Sequence, residues 1–199
     1  HCSGDLHRAE RELCQVGSPE YLQVLLRAFQ EAECVLVVNP LHEAMLSPYA
    51  KQVRVVTAGM DQARFPWPPP DIPRTPDKVI FLFAGLVQEA IKGFHVVHQA
   101  CAQLWQRRQD FELVATGDPP GPVDAFTRFI GWQSQEDLPR HLHQADILVM
   151  PTIAQEALGR TAVEAMAAGR PVVASRLGGL PFTVMDGATG LLFAPGDVD

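Results

Sequence analysis

Two glutamates, Glu156 and Glu164, stand with seven residues between them in the stretch Pro151-Thr152-Ile153-Ala154-Gln155-Glu156-Ala157-Leu158-Gly159-Arg160-Thr161-Ala162-Val163-Glu164. The pattern predicts a loop carrying Glu156, then a helix that starts beside Gly159 and carries Glu164. A glycine at a helix start lets a ligand approach the backbone, and the free N–H groups there favour an anion such as a phosphate. A carboxylate repels phosphate but accepts hydrogen bonds from neutral hydroxyls. A phosphate-friendly helix end flanked by two such carboxylates suits a ligand that carries phosphate and sugar hydroxyls together, as a nucleotide-sugar does. Taken singly, a glutamate is ordinarily a solvated residue. Glu164 stands out because its helix, Ala162-Val163-Glu164-Ala165-Met166-Ala167-Ala168, is otherwise small and apolar.

Other chemistry-bearing types are poorly arranged. His141 and His143 are two apart on a predicted helix and face different directions, which argues against a shared metal. His95 and His98 could share a face but lack a third ligand. Cys2, Cys14, Cys34 and Cys101 form no C-x-x-C pair and read as reduced thiols. His1, Cys2 and His7 lie in a stretch with little structural signal, and Trp105, Phe111 and Phe129 sit in apolar patterns that read as core.

The elements that would position the glutamates form a regular series. Ser18-Pro19-Glu20 predicts a helix start, with Ser18 as N-cap and Leu22, Leu25, Leu26 and Phe29 on the apolar face. Cys34–Val38 and Gln52–Thr57 read as strands flanking a helix over His42–Ala50. Further on, strands are expected at Val79–Ala84, Phe111–Ala115, from Phe129-Ile130 onward, at Asp146–Met150 and at Pro171–Ala174. Helices are expected at Gly93–Arg108, after a capping pair Ser134 and Asp137, and at Thr161–Ala168. Strands apolar on both faces and separated by helices indicate a parallel sheet covered on both sides. Ligands of such sheets sit beyond the carboxyl ends of the strands. The informative loops are therefore Gly85–Gly93, Thr116–Gly121, Pro151–Thr161 and Ser175–Gly179. Between the two series lies Phe65-Pro66-Trp67-Pro68-Pro69-Pro70-Asp71-Ile72-Pro73, whose five prolines in nine residues predict a semi-rigid linker.

Of the 199 residues, 47% are hydrophobic and 20% charged, the composition of a soluble globular protein, and the length allows one full domain with part of a second. Sixteen basic against twenty-three acidic residues give a net charge of −7, which excludes a general nucleic-acid binder. The longest apolar run, Val79–Val87, is too short to span a membrane. The chain begins at His1 and stops just after Pro195-Gly196-Asp197, and it reads as a fragment cut at both ends.

The glutamate segment resembles the E-x7-E signature of the retaining GT-B glycosyltransferases of the family-4 type. The likeness continues through Gly169-Arg170-Pro171-Val172-Val173-Ala174-Ser175, the Gly178-Gly179-x-Pro181 turn and Asp186-Gly187-x-Thr189-Gly190-Leu191. Upstream, Lys92-Gly93 resembles the family's K-G turn, and Ala145-Asp146-Ile147 through Pro151 its A-D-x-x-x-x-P strand. Gly59-Met60-Asp61 with Phe65 is similar to the N-G-V-D-x-x-x-F element that closes the family's N-terminal domain. In order and register the resemblance runs from about Glu33 to Asp199.

The resemblance implies a GT-B α/β fold: a Rossmann-like parallel sheet with helices on both faces, plus the last part of a second Rossmann-like domain. Residues 1–62 would be the remnant of the N-terminal, acceptor-side domain, 63–76 the proline-rich linker, and 77–199 the C-terminally truncated donor-binding domain. It implies transfer of a sugar from a nucleoside-diphosphate sugar to an unidentified acceptor, with retention of anomeric configuration. Lys92 and Glu156 would be the catalytic pair. Lys92 would neutralise the diphosphate, Glu156 would hold donor-sugar hydroxyls and Glu164 ribose hydroxyls. Leu158, Gly159, Arg160 and Thr161 would meet sugar and diphosphate, with Gly85 nearby, and Gly117, Ile130 and Trp132 would lie near the base. No cofactor or metal is implied, in keeping with the lack of a D-x-D motif near an expected strand end. The implied setting is cytoplasmic or at the inner face of the membrane, with peripheral membrane contact through the rest of the N-terminal domain and with no transmembrane segment. Two departures stand out: Leu86 occupies the place of an arginine that would give the diphosphate a second cation, with Arg160 the candidate substitute, and Phe182 replaces a glutamate. A GT-B-related phosphorylase or epimerase and a non-catalytic nucleotide-sugar-binding module are the alternatives. As given, the chain is expected to bind donor weakly and to transfer nothing.

Overall fold

The structure is a computed structural model that describes residues 19–66, 70–73 and 77–199. The expected N-cap Ser18, the residues His1, Cys2, His7 and Cys14, and linker positions 67–69 and 74–76 lie outside the described residues. The chain divides into two units between Ala58 and Gly59.

In the first unit, helix α1 (Pro19–Glu31) buries Leu22 and Leu26, one turn apart. Strands β1 (Val35–Val37) and β2 (Val53–Val55) pair in parallel, Val35 opposite Val53, around helix α2 (Pro40–Leu46). Helix α2 starts earlier and ends earlier than the expected His42–Ala50. The Asn39 side-chain oxygen accepts the His42 N–H at 2.8 Å, and Pro40 takes a first-turn position where its missing N–H costs nothing.

The second unit opens with a 3₁₀ turn (Gln62–Arg64) capped by Asp61, whose side chain accepts the Ala63 N–H. It continues with β3 (Val79–Phe83), a 3₁₀ turn (Ala90–Lys92), α3 (Phe94–Trp105), β4 (Phe111–Ala115) and β5 (Thr127–Phe129). Helix α4 (Leu138–Gln144), β6 (Ile147–Met150), α5 (Arg160–Ala167), β7 (Val172–Ser175), α6 (Leu180–Thr183) and β8 (Gly190–Phe193) complete it. All six strands lie parallel in the order β5-β4-β3-β6-β7-β8.

Alternation along the strands builds one core on each face of this sheet. Ile80 and Leu82 of β3, with Leu148 and Val172, pack against Leu138 and Leu142 of α4 and Ala162 and Ala165 of α5. Phe83, with Phe111, Leu113 and Ala115 of β4, packs against Phe94, Val97 and Cys101 of α3. Burial there pushes the Cys101 thiol up to about 12. The expected core aromatics join this second layer, with Trp105 and Phe111 edge to face at 5.3 Å.

Other boundaries in this unit differ from expectation. Strand β5 ends at Phe129 rather than starting there, because Thr127 and Phe129 pair with Leu113 and Ala115 of β4. Helix α4 begins at Leu138; Ser134 and Asp137 do cap one another, but over the turn before it. Phe65, which composition places in the linker, is 3% exposed in the first core layer. Phe65 therefore packs within the second unit.

Candidate functional site

The order of the large sheet reverses between β3 and β6. From β3 the chain moves outward to β4 and β5, and from β6 it moves the other way to β7 and β8. Loops leaving the carboxyl ends of β3 and β6 therefore part and open a crevice, the usual ligand position in such sheets.

Backbone contacts set the width of this crevice. The turn Ala90–Lys92 ends at Gly93 with φ +75°, where a Cβ would stand 1.9 Å from the Pro151 carbonyl oxygen. Glycine alone permits that approach. The Ile91 carbonyl accepts the Ile153 N–H and the Thr152 hydroxyl, each at 2.9 Å. From the other side Gly179 donates its N–H to the Glu156 carbonyl at 2.6 Å, and a Cβ on Gly178 would lie 2.4 Å from that same oxygen. Three loops thus converge, and Lys92 Nζ comes within 3.3 Å of Glu156 Oε2 with both side chains half-buried.

Lys92 and Glu156 line one cleft together with Gly85, Thr152, Arg160 and Thr161. An adjoining cleft shares Gly85 and Thr161 and adds Leu86, Thr116, Gly117, Trp132, Gln133 and Gln135. Trp132 is 72% exposed at its rim. The Thr116 hydroxyl donates to the Gly85 carbonyl at 2.8 Å and so ties the end of β4 to the loop after β3. Gly117 donates its N–H to the Gly131 carbonyl at 2.7 Å, which fixes the loop that carries Trp132.

The remaining expected residues support these walls without lining them. Ile130 donates its N–H to the Ala115 carbonyl, and the Leu158 carbonyl accepts the Thr183 hydroxyl. Gly159 starts α5 at φ +75°, where a Cβ would meet Leu180 at 2.5 Å. No side chain caps that helix start, so its first-turn N–H groups keep their affinity for an anion.

Glu164 lies behind this terminus, 3% exposed. Its Oε1 accepts from Arg160 Nη2 at 3.3 Å and lies 3.9 Å from Arg64 Nη1. Arg160 also donates to Gln135 at 2.9 Å. The candidate second cation therefore stands in the cleft, engaged with Glu164 and Gln135. Sequence reading overlooked Arg64, although it lies inside the Gly59-Met60-Asp61-x-x-x-Phe65 element; it also missed Thr116, Gln133 and Gln135. The two histidines of α4 separate as their spacing implies. His143 is buried against Phe65 with ring centroids 6.4 Å apart, while His141 pairs with Gln133 at 2.8 Å. Burial, aided by Arg170, lowers the His143 pKa. For His141 burial comes first and Arg140 and Arg128 follow. His98 pairs with Asp124. Among the described residues no three His, Cys, Asp or Glu form a metal-ligating group, and no helix is long and apolar enough to cross a membrane.

Known proteins place this arrangement. A family model described as glycosyl transferases group 1 matches residues 78–199. The chain is 35% identical over 131 residues to the D-inositol 3-phosphate glycosyltransferase of Corynebacterium kroppenstedtii, covering 57% of this chain and 29% of that protein. It is 31% identical over 176 residues to the glycogen synthase of Mycobacterium tuberculosis, covering 83% of this chain and 42% of that one. Among solved structures, sucrose-phosphate synthase of Thermosynechococcus elongatus superposes with a TM-score of 0.75 at 28% identity, over 92% of this chain and 52% of that one. Anabaena HepE in complex with UDP and glucose gives 0.73 at 22% identity, over 91% and 56%. The chain thus spans less than half the length of these curated relatives and has the expected GT-B fold in part. The chain belongs to the group 1 glycosyl transferases.

Proposed function

We propose that this chain supplies the donor site of a retaining glycosyltransferase of the family-4 type, which moves a sugar from a nucleoside-diphosphate sugar to an acceptor hydroxyl. The observation that carries this reading is the Lys92–Glu156 pair at the crevice between β3 and β6, beside the uncapped start of α5 and in front of the buried Glu164. In this reading residues 77–199 form the donor domain. The diphosphate lies between Lys92 and the N–H groups of Arg160 and Thr161. Glu156 accepts hydrogen bonds from sugar hydroxyls, and Glu164 from the ribose. Gly85, Gly117 and Trp132 border the base, with Ile130 behind them.

The bond from the anomeric carbon to the diphosphate oxygen breaks, and its electron pair leaves on that oxygen. The acceptor oxygen bonds to the same face of the carbon, and its proton passes to the departing diphosphate. Lys92 stabilises the charge that develops, and one such group is worth about 3–4 kcal/mol of barrier. Lys92 and Glu156 pair at 3.3 Å; in this reading the donor engages both, the diphosphate at Lys92 and the sugar hydroxyls at Glu156. The chemistry needs no metal, and the setting is cytoplasmic.

A thermal-shift panel of UDP-, GDP- and ADP-sugars tests the reading, beginning with UDP-glucose. A ligand that binds only the native state raises the melting temperature by mass action, by ~2.7 kcal/mol of stability at a hundredfold excess over Kd. One nucleotide series should raise it in a dose-dependent way, and Lys92→Met should abolish that shift. No shift with any of the three series would overturn the proposal.

A further inference from the structure

Two arginines converge on one oxygen of Glu164, and they differ in kind. Arg160 is 61% exposed, lines the cleft beside Lys92 and makes the hydrogen bond at 3.3 Å. Arg64 is 26% exposed and stands at 3.9 Å, just beyond bonding range. Its Nη2 is buried without a hydrogen-bond partner among the described residues. Buried donors are normally paired, so this one calls for an explanation. Its guanidinium lies 5.7 Å from the centroid of the Phe65 ring, which is itself fixed in the core.

A buried carboxylate must keep a counter-ion, because leaving it alone is strongly unfavourable. Arg160 cannot serve both Glu164 and an incoming diphosphate at full strength. We propose that Arg64 is the permanent counter-ion and positioning residue of Glu164, freeing Arg160 to turn onto the donor's diphosphate. This inference rests on the donor-site reading above. N–H···O bonds centre near ~2.9 Å, so closing the gap between Arg64 and Glu164 takes a movement of about 1 Å. The exchange also accounts for Leu86, since the cation absent at that position is supplied by Arg160, and Arg160 is releasable only because a second arginine stays behind. Glu164 then keeps its orientation toward the ribose while the cleft gains a second positive group.

The test is a double-mutant cycle with two readouts. In the ligand-free protein, Arg64→Gln should lower the melting temperature by about 4 °C. Adding Glu164→Gln should recover most of that loss, because the carboxylate that needed compensation has gone. Arg64→Lys should retain most of the stability. In titrations with a nucleoside and its diphosphate, Arg64→Gln should weaken both about tenfold, by displacing Glu164, whereas Arg160→Gln should weaken only the diphosphate. Equal and additive losses for Arg64→Gln and Glu164→Gln, or a wild-type-like Arg64→Gln in both readouts, would overturn the proposal. If the wild type binds no nucleotide, the donor-site reading fails, and the melting cycle alone still decides whether Arg64 compensates Glu164.

Discussion

The two glutamates of the E-x7-E segment occupy different physical settings, and their substitutions should behave differently. Glu164 is buried and clamped by arginines, whereas Glu156 is half-buried with its carboxylate on Lys92. Glu164→Gln keeps the shape but weakens charged hydrogen bonds worth ~1–3 kcal/mol, so a free nucleoside diphosphate should bind about ten- to a hundredfold less tightly. Glu156→Gln should spare the free nucleotide and weaken only the nucleotide-sugar, and calorimetric titration of both ligands separates the two. A second prediction concerns His143, whose ring nitrogens are buried and unpartnered among the described residues and whose pKa is lowered by burial. The unfolded imidazole titrates near ~6.5 and takes its proton first as the pH falls. Stability from the neutral ring is thus complete above that value and is lost progressively below it. Melting temperatures at pH 7.5 and 5.5 should fall by more in the wild type than in His143→Leu; an equal fall in both would refute this. Placement was legible where it lay within one segment: Glu156 in a loop, Gly159 at the helix start and Glu164 in the helix. Arg64 was hidden because its partner lies far along the chain, and only the packing of the Gln62–Arg64 turn brings them together.

At the scale of elements, the crevice depends on loops that approach too closely for side chains. Gly93→Ala forces a Cβ to within 1.9 Å of the Pro151 carbonyl at a φ of +75°. The left-handed conformation costs ~1–2 kcal/mol and the overpacking ~1–3 kcal/mol more. A urea melt should show a loss of about 2–5 kcal/mol, with nucleotide binding impaired even where the protein remains folded. Gly121→Ala is the control: no atom lies within 4 Å of its added Cβ, and its midpoint should not move. The strands β3, β4, β6 and β7 were readable because they are predominantly apolar. Strand β5 was not, since Thr127-Arg128-Phe129 carries an exposed arginine, which bonds Glu112 on β4 at 2.9 Å. Its start is set by pairing with β4 and not by its own composition. Helix α2 was displaced for a related reason: a side-chain cap at Asn39 determines where it begins.

For the whole molecule, alternating strands and helices yield a parallel sheet, and the switch between β3 and β6 follows from the order its strands take. The sequence pattern implied a parallel sheet but not the order, because order is decided by which strand edges meet. The proposed donor site lies on one unit, and the proposal implies a division of labour. We expect these 199 residues to bind a nucleoside diphosphate yet to show no transfer to a broad acceptor panel, since positioning of the acceptor is worth ~7–11 kcal/mol of barrier. Multiple turnovers by this chain alone would contradict that. The central claim is that nucleotide enters the crevice between β3 and β6, and an amide-resolved NMR titration with UDP and GDP reads it most directly. The account predicts saturable shifts concentrated at Gly85, Lys92, Gly117, Arg160 and Thr161, with α3 and its core unmoved. Shifts centred elsewhere on the sheet, or scattered without saturation, would contradict it.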